Sequence, residues 1–299
     1  MEQTREKSAY RVTLLGSLVN FLLLVGKFLA GIFGHSAAMI ADAVHSLSDF
    51  ATDLVVLVFV KLSAKPEDED HNYGHGKYET LATCAIGIAL IVVGVMIGVN
   101  SVKGIIAFLH GEELSRPGMI AFWAAVICIV VKEWLYRVTI KVAKQIDSPS
   151  VAANAWHHRS DALSSIGTAL GIGGAAVLGN KWAVLDPVAA LVVSVFIAIS
   201  AVKILADALD QLMEKSLPKS VEDQICALVY AEEGVSDIHH LRTRKIGSTL
   251  SIEMHLRMSG DLPLKIVHQK TIDIERRLRA EFGQGTYISL HIEPLKSEY

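Results

Sequence analysis

The sequence predicts a six-helix transmembrane bundle followed by a small α+β domain, and three observations lead to this fold class. Hydrophobic residues make up 52% of the 299 residues and charged residues only 20%, which is more apolar than a soluble domain of this size requires. The apolar residues fall in long runs. Composition then becomes mixed and charged near residue 210. We therefore expect a membrane domain over residues 1–209 and a cytoplasmic domain over residues 210–299.

Six apolar runs each reach the ~20 residues needed to cross a hydrocarbon core. The first run follows basic residues but is too long for the apolar region of a signal peptide, so we expect it to be retained as a span. The runs cover residues 10–33, 36–62, 80–109, 118–142, 151–179 and 183–209.

Basic residues flank these runs mainly on one side of the predicted membrane. Because cytoplasmic loops carry an excess of Lys and Arg, both termini are predicted to lie in the cytoplasm. A multi-pass protein of a cell's inner membrane, surrounded by lipid, is the expected setting. The basic residues are Arg5, Lys7 and Arg11 before the first run, Lys61, Lys65 and Lys77 after the second, and Arg137, Lys141 and Lys144 after the fourth.

The segment after residue 210 has the order helix, strand, strand, helix, strand. This α-β-β-α-β order predicts a ferredoxin-like or metallochaperone-like domain with helices on one face of a sheet. The predicted elements are helix 221–231, strands 236–246 and 248–258 joined at Gly247-Ser248, helix 264–282 and strand 287–292.

Charge and cysteine content exclude several classes of function. A net charge of −3 does not suggest nucleic acid as a partner. Cys84, Cys128 and Cys226 are scattered and form no C-x-x-C pair, which argues against a disulfide framework or a thiolate zinc site. Nitrogen and oxygen must therefore supply any metal ligands, and the chain has 12 histidines.

Two His/Asp pairs lie inside apolar runs. His45 and Asp49 are four residues apart, as are His157 and Asp161, and this spacing puts each pair on one helix face. Two imidazoles and two carboxylates form a tetrahedral set that zinc accepts. The alternative is that each His bonds a neighbouring helix while each Asp faces water. His158 has no carboxylate four residues on, so we interpret it as a non-ligand.

Other polar residues in the runs leave two interpretations open. Asp42 and Asp53 are either stepping points for protons or ions, or solvated acids near helix ends. Lys27 either pairs with an acid or snorkels to the membrane surface, and snorkelling is favoured.

Two further clusters lie outside the apolar runs. The stretch from Glu67 to Lys77 contains four consecutive acids, two imidazoles and two glycines, which is typical either of a metal-binding loop or of a solvated acidic loop. The tail domain contains six groups that can line one or two metal sites, although a single His there is more often a surface residue. These groups are His239, His240, His255, His268, His291 and Glu293.

Four motifs occur in a fixed order between and after the predicted spans: H-S-L-S-D at 45–49, D-E-D-H-N-Y-G-H-G-K at 68–77, H-H-R-S-D at 157–161 and H-H-L-R-T-R at 239–244. Together they resemble the cation diffusion facilitator, or cation efflux, family of divalent metal transporters. The resemblance covers nearly the whole chain. It implies a homodimer whose tails meet in the cytosol, and exchange of metal for protons as the coupling ion.

The resemblance also implies specific site residues. His45, Asp49, His157 and Asp161 match the transport site, and Asp68, His71 and His75 match a loop site. His239, His255, His291 and Glu293 match a tail site, with His268 as a further candidate. Lys77 and Asp207 resemble an ion pair at the dimer interface. Glu293 stands where the family usually has Asp.

Zinc is the expected substrate and the expected regulatory ligand. The donor set suits zinc, and His at position 45, where some bacterial members have Asp, tends to accompany zinc selectivity in the family. Cadmium, cobalt, iron and manganese remain open. A metallohydrolase would need an H-E-x-x-H-type base, which is absent from the sequence, so an enzyme is not expected. A metal sensor would leave the paired ligands in two spans unexplained.

Overall fold

The computed structural model describes residues 2–63, 65, 67–146, 149–247 and 249–295; within these, residues 2–10, 52–63, 149, 150 and 153 are described by backbone only. The first two-thirds form long helices and the remainder a small α+β domain. The elements are α1 (Glu2–Phe33), α2 (Ala37–Ser63), α3 (Lys77–Leu109), α4 (Met119–Ile146), α5 (Pro149–Val177), a 3₁₀ turn (Asn180–Trp182), α6 (Leu185–Leu212), α7 (Lys219–Tyr230), β1 (Asp237–Ile246), β2 (Thr249–Met258), α8 (Leu264–Phe282) and β3 (Tyr287–Pro294).

The chain divides into two compact units. We call Met1–Leu54 with Ile86–Lys203 the helical unit, and Val55–Ala85 with Ile204–Tyr299 the tail unit. The segment that connects α2 and α3 groups with the tail, and the predicted boundary at residue 210 stays a prediction.

Four helical segments in the described part of the chain are long and apolar enough to cross a membrane: Arg11–Phe33, Lys77–Leu109, Met119–Ile146 and Asn180–Leu212. Helices α2 and α5 are long enough but carry the ionisable residues singled out above, which lowers their hydropathy. The six-span count therefore stays a prediction.

Small side chains let the helices of the helical unit approach closely. Helix α4 packs on α1 and α5 through a buried stripe of mostly small or apolar residues spaced three or four apart, as expected for packed membrane helices. The stripe comprises Ala121, Ala125, Cys128, Lys132, Leu135, Thr139, Ala143 and Ile146.

A carboxylate from α6 fixes the start of α2. Ser36 Oγ donates to Asp186 Oδ1 over 2.5 Å, and the backbone N–H groups of Ala37 and Ala38 donate to the two carboxylate oxygens over 2.7 and 3.4 Å. These bonds satisfy N–H groups that the first turn of a helix leaves without partners. The cap sets the position of α2, which carries His45 two turns later.

The tail domain confirms the predicted order of elements. Its sheet has the order β1-β2-β3, with β1 antiparallel and β3 parallel to β2. Alternate residues of β2 are buried in the core with residues of α7 and α8: Ile252, Met254, Leu256 and Met258 with Ile225, Val229, Ile274 and Leu278. The side chains between them on β2 therefore point to the opposite face. Of the predicted turn, Gly247 has a positive φ of 61°, and Ser248 lies outside the described residues.

The α2–α3 connection packs against this sheet within the tail unit. A Cβ atom on Gly76 would lie 2.7 Å from the Ile246 carbonyl oxygen, so the two backbones are in direct contact. Tyr287 Oη donates to Glu67 Oε1 over 2.8 Å, and the ring of Tyr73 lies edge-on to that of Tyr287. The connection is thus held at both ends.

Candidate metal centres

The two His/Asp pairs converge in the helical unit. His45, Asp49 and Asp161 offer donor atoms that all lie within 4.8 Å of one another. His157 Nε2 lies 3.7 Å from Asp161 Oδ2 and 4.0 Å from Asp49 Oδ2. We call these four residues the helical cluster. Two residues come from α2 and two from α5, and each pair shares a helix face because its members are four residues apart.

The donor set and its spacing fit a small divalent ion. Zinc bonds of ~2.0–2.2 Å in a tetrahedron place neighbouring ligand atoms about 3.4 Å apart. The separations of 3.7 and 4.0 Å from His157 Nε2 exceed this value only slightly. The donor atoms of His45, Asp49 and Asp161 lie within 4.8 Å of one another, so an ion would draw these side chains inward to close the set.

The helical cluster borders two cavities. A cavity of about 790 Å³ contacts all four residues and continues along apolar side chains of α6, among them Val188, Val192 and Phe196. A second cavity, of about 20 Å³, is lined by Asp49, His157 and Asp161 together with residues that include members of α1 and α4. We call the second one the small cavity. The larger cavity gives an ion room to approach the cluster.

Sequence reasoning missed Lys132, which pairs with a member of the cluster. Its Nζ donates to Asp161 Oδ2 over 2.6 Å, and the residue is only 5% exposed. The signal was available, since Lys132 falls in register with the small residues of the α4 stripe and so must face the bundle. The partner was not predictable, because it depends on how α4 and α5 are rotated against each other.

The prediction that Lys27 snorkels is wrong. Lys27 and Asp42 are 3% and 2% exposed, and Lys27 Nζ lies 2.7 Å from Asp42 Oδ2. Lys27 also donates to Ser46 Oγ over 3.0 Å, and Ser165 Oγ donates to Asp42. Asp42 is accordingly a buried, paired acid and not a solvated one, while the side chain of Asp53 lies outside the described residues.

His158 is buried apart from the helical cluster. It is 1% exposed, and neither ring nitrogen has a hydrogen-bond partner among the described residues. A Cβ on Gly16 would lie 3.2 Å from its Nε2, so the ring fills the space beside a glycine of α1. Its assignment as a non-ligand stays a prediction.

The predicted loop residues also converge, within the tail unit. His71 Nδ1 lies 3.1 Å from Asp68 Oδ1, and His75 Nε2 lies 3.2 Å from Asp68 Oδ2. Slight burial raises the pKa of the Asp68 carboxyl, but bonds from the His71 ring and from the N–H groups of His71 and Asp70 outweigh this and lower the pKa overall. Asp68 is thus poised to remain a carboxylate that bridges two imidazoles.

Strand register assembles the tail residues. His239 lies opposite His255 in the antiparallel pair, and His255 lies beside His291 in the parallel pair. Glu293 joins them, with Oε2 3.2 Å from His239 Nε2 and Oε1 2.9 Å from His255 Nδ1. We call His239, His255 and Glu293 the tail cluster. The bond with His255 lowers the pKa of the Glu293 carboxyl below its usual value.

His291 and His240 border the tail cluster, His240 with its ring centroid 5.1 Å from that of His239 and 5.0 Å from that of His255, whereas His268 does not belong to it. His291 Nε2 is 3.9 Å from Glu293 Oε1. His240 lies at the irregularity between His239 and Arg242, with a φ of 51°. His268 is exposed on α8, which packs on the apolar face of the sheet, so the structure does not bring it to His255.

A second basic residue that sequence reasoning missed lies at the tail cluster. Arg257 Nη2 donates to Glu293 Oε2 over 3.3 Å and lies 3.5 Å from His239 Nε2. Its Nη1 donates to Asp237 Oδ2 over 2.7 Å. Arg257 follows His255 by two residues on β2, which puts both on the polar face.

The predicted pairing of Lys77 with Asp207 is not what the structure contains within one chain. Lys77 Nζ lies 2.9 Å from Glu214 Oε1 instead, and this hydrogen bond lowers the pKa of the Glu214 carboxyl. Glu214 follows the end of α6, beyond the helical run from which Asp207 was chosen. Both side chains are long and exposed, so the pairing depends on which acid lies within reach of Lys77 and not on burial.

Family comparisons agree with this architecture. The family model of the cation efflux transmembrane domain matches residues 13–213, and the model of the cation efflux protein cytoplasmic domain, a dimerisation domain, matches residues 217–295. The manganese efflux system protein MneP of Bacillus subtilis is 30% identical over the full length of both chains. The magnetosome protein MamM of Magnetospirillum gryphiswaldense is 32% identical over 85% of this chain and 79% of that protein.

Among solved structures, the metal-bound C-terminal domain of the CzcD transporter from Thermotoga maritima is 24% identical. The match covers 27% of this chain and 96% of the solved domain, with a TM-score of 0.25. The two matched models follow each other along almost the whole sequence. This chain is therefore a multi-pass membrane transporter, not an enzyme, and belongs to the cation efflux, or cation diffusion facilitator, family of divalent metal transporters.

Proposed function

We propose that this chain exports divalent transition-metal ions from the cytoplasm in exchange for protons, with the helical cluster as the transport site. The observation that carries the proposal is the convergence of two His/Asp pairs from α2 and α5. An ionised carboxylate at membrane depth costs at least ~2.5–3.5 kcal/mol on insertion scales. Lys132 compensates the charge of only one of these two acids, and a divalent ion bound between the two pairs would compensate both.

Proton coupling follows from the chemistry of these donors. To bind a metal, His45 and His157 must be neutral and Asp49 and Asp161 ionised, so protons and metal compete for the same lone pairs. An ordinary His titrates near pH ~6.5. Protons that arrive from the far side therefore displace the ion there, and their loss to the cytosol restores the site. Rocking of helices would alternate its exposure.

The arrangement in the membrane is part of the same proposal. We infer that α1 to α6 all cross an inner membrane, with α2 and α5 shielded from lipid by the other helices, and that both termini are cytoplasmic. Residues 210–299 then lie in the cytosol, and two copies of the chain form a homodimer. Metal on the tail cluster, or on Asp68, His71 and His75, would favour a transport-ready dimer if it binds that arrangement more tightly.

Zinc is the first candidate substrate and manganese the second. Two imidazoles among four ligands favour zinc, which accepts nitrogen in a tetrahedral set, whereas manganese prefers oxygen ligands in larger numbers. Manganese is retained because MneP, which matches over the full length, is described as a manganese efflux protein.

Flux measurements test the proposal. Proteoliposomes that contain the full chain and a pH gradient should take up zinc, and Asp49→Asn should lower the initial rate at least ~100-fold, because it removes a charged ligand in a low-dielectric site. Asp223→Asn, an exposed acid on α7, is the matched control and should transport normally. Undiminished uptake by Asp49→Asn would refute the site. Competition among zinc, manganese, cadmium, cobalt and ferrous iron would rank the substrates.

A further inference from the structure

Lys132 is a buried cation placed directly on the transport site. Its ammonium lies 2.6 Å from Asp161 Oδ2, and the side chains of the two residues are 6% and 12% exposed. The lysine lies in the middle of the α4 stripe, where a small or apolar residue would pack well. A charge at such a position requires a partner or a function.

We propose that Lys132 is a tethered competitor of the transported ion: its ammonium holds Asp161 until a divalent cation displaces it, and so it sets the affinity and the release rate of the site. This inference rests on the proposed function and adds a positioning residue to it. Lys132 is not a ligand, since an ammonium has no lone pair to donate.

The charge balance of the site explains why displacement is needed. Asp49 and Asp161 contribute two negative charges, and Lys132 neutralises one of them before an ion arrives. A divalent ion placed on Asp161 would then lie within a few ångströms of an ammonium, and this repulsion is strong where water is scarce. The metal is therefore bound less tightly than by two unopposed carboxylates, which favours release, as a conducting site requires.

The small cavity gives the displaced ammonium a second position. Lys132 and Asn20 both line it, together with Asp49, His157 and Asp161. Asn20 Oδ1 is buried and has no hydrogen-bond partner among the residues whose side chains are described. An amide oxygen accepts hydrogen bonds from an ammonium. The geometry thus supplies two acceptors for the Lys132 ammonium. In the metal-free site the acceptor is Asp161, and in the metal-bound site it is Asn20.

Steady-state flux of the full chain in proteoliposomes, at one fixed pH gradient, separates affinity from rate. Lys132→Gln keeps a hydrogen-bond donor but removes the charge, and we expect its half-saturating zinc concentration to fall at least tenfold and its maximal rate to fall severalfold. Lys132→Arg keeps the charge and should stay within about threefold of wild type in half-saturation. An unchanged or raised half-saturating concentration for Lys132→Gln would overturn the proposal, because a purely structural lysine would affect only rate and thermal stability.

Asn20→Leu provides a second test, which removes no charge. This test remains available even if Lys132→Gln fails to fold. Loss of the second acceptor should raise the half-saturating concentration about threefold or more. Combined with Lys132→Gln, the same change should have little further effect, since no ammonium remains to be moved. Equal effects of Asn20→Leu in both backgrounds, or none in wild type, would exclude the two-position scheme.

Two controls keep this inference separate from the proposed function. Thr139→Val changes another buried polar residue of the α4 stripe that lines neither of the two cavities at the cluster, and its half-saturating concentration should match wild type. Absence of flux in wild type for zinc, manganese and the other divalent ions tested, or flux that is undiminished in Asp49→Asn, would refute the proposed function itself. Flux that depends on Asp49 but has the same half-saturation in Lys132→Gln would refute only the role of Lys132.

Discussion

The helical cluster and the tail cluster use the same donor chemistry with different surroundings. Each combines imidazoles with carboxylate, and in each a basic side chain holds a carboxylate: Lys132 holds Asp161, and Arg257 holds Glu293. The first pair lies among packed helices. The second lies on the polar face of a sheet, where Glu293 is 21% exposed. An ion pair has a large effect where water is excluded and a small one where water and salt screen it.

The two clusters also differ in how the chain assembles them. In the helical cluster, spacing of four along a helix brings His and Asp together before any tertiary contact forms. In the tail cluster, His239, His255 and Glu293 come from three strands and meet only through register. A one-residue slip of any strand would move its ligand to the apolar face.

The largest difference between the two clusters is expected when the carboxylate of Asp161 is removed from its buried pair with Lys132. Asp161→Asn should lower zinc flux at least ~100-fold and also destabilise the protein by about 3–5 kcal/mol, because it leaves the ammonium of Lys132 buried without its charged partner. The double variant Asp161→Asn/Lys132→Met should regain most of the stability but none of the flux. Thermal unfolding in detergent and flux in proteoliposomes measure the two quantities. Equal stability of the single and double variants would show that burial does not govern this pair.

Spacing within one helix was predictable from the sequence, whereas contacts between elements were not. The pairs His45–Asp49 and His157–Asp161 followed from the pitch of the helix alone. The partner of Lys132 depends on the rotation of α4 against α5, and the placement of His268 depends on which sheet face α8 covers. Lys27 was misassigned because a lysine in an apolar run has two solutions, snorkelling and pairing, and only the position of Asp42 on the neighbouring helix decides between them.

A smaller effect is expected when the cation is removed from the tail cluster. Arg257→Gln should raise the affinity of that cluster for zinc only about threefold at low salt, and the gain should vanish near 0.5 M salt, where the Debye length is only a few ångströms. Binding can be followed in the full-length Asp49→Asn protein, with Glu293→Gln as the control that removes a tail ligand. By contrast, the tenfold effect expected of Lys132→Gln should persist at high salt. If Arg257→Gln raised the zinc affinity tenfold or more and the gain persisted at high salt, the ion pair at the tail cluster would not be screened as we expect.

The smallest effect is expected at the exposed pair of Lys77 and Glu214. Glu214→Gln should lower the free energy of unfolding by less than about 1 kcal/mol, as is usual for surface pairs. Because the hydrogen bond from Lys77 lowers the pKa of Glu214 from its ordinary value of 4.5, the pair stabilises the folded state above pH 4.5. This contribution is lost as pH falls through the lower, folded-state pKa. Thermal unfolding between pH 6 and pH 3 would measure it in wild type and Glu214→Gln.

Asp207→Asn is the matched variant for this pair. Within one chain Lys77 contacts Glu214, so Asp207→Asn should cost less stability than Glu214→Gln and leave the pH dependence unchanged. A larger cost for Asp207→Asn, present in the dimer and lost on dilution to monomers, would instead assign Lys77 to the interface pair that the family resemblance implies. In that case the exposed Lys77 would change its partner from Glu214 to Asp207 when the dimer forms. The buried Lys132, by contrast, can change its partner only by moving across the small cavity from Asp161 to Asn20.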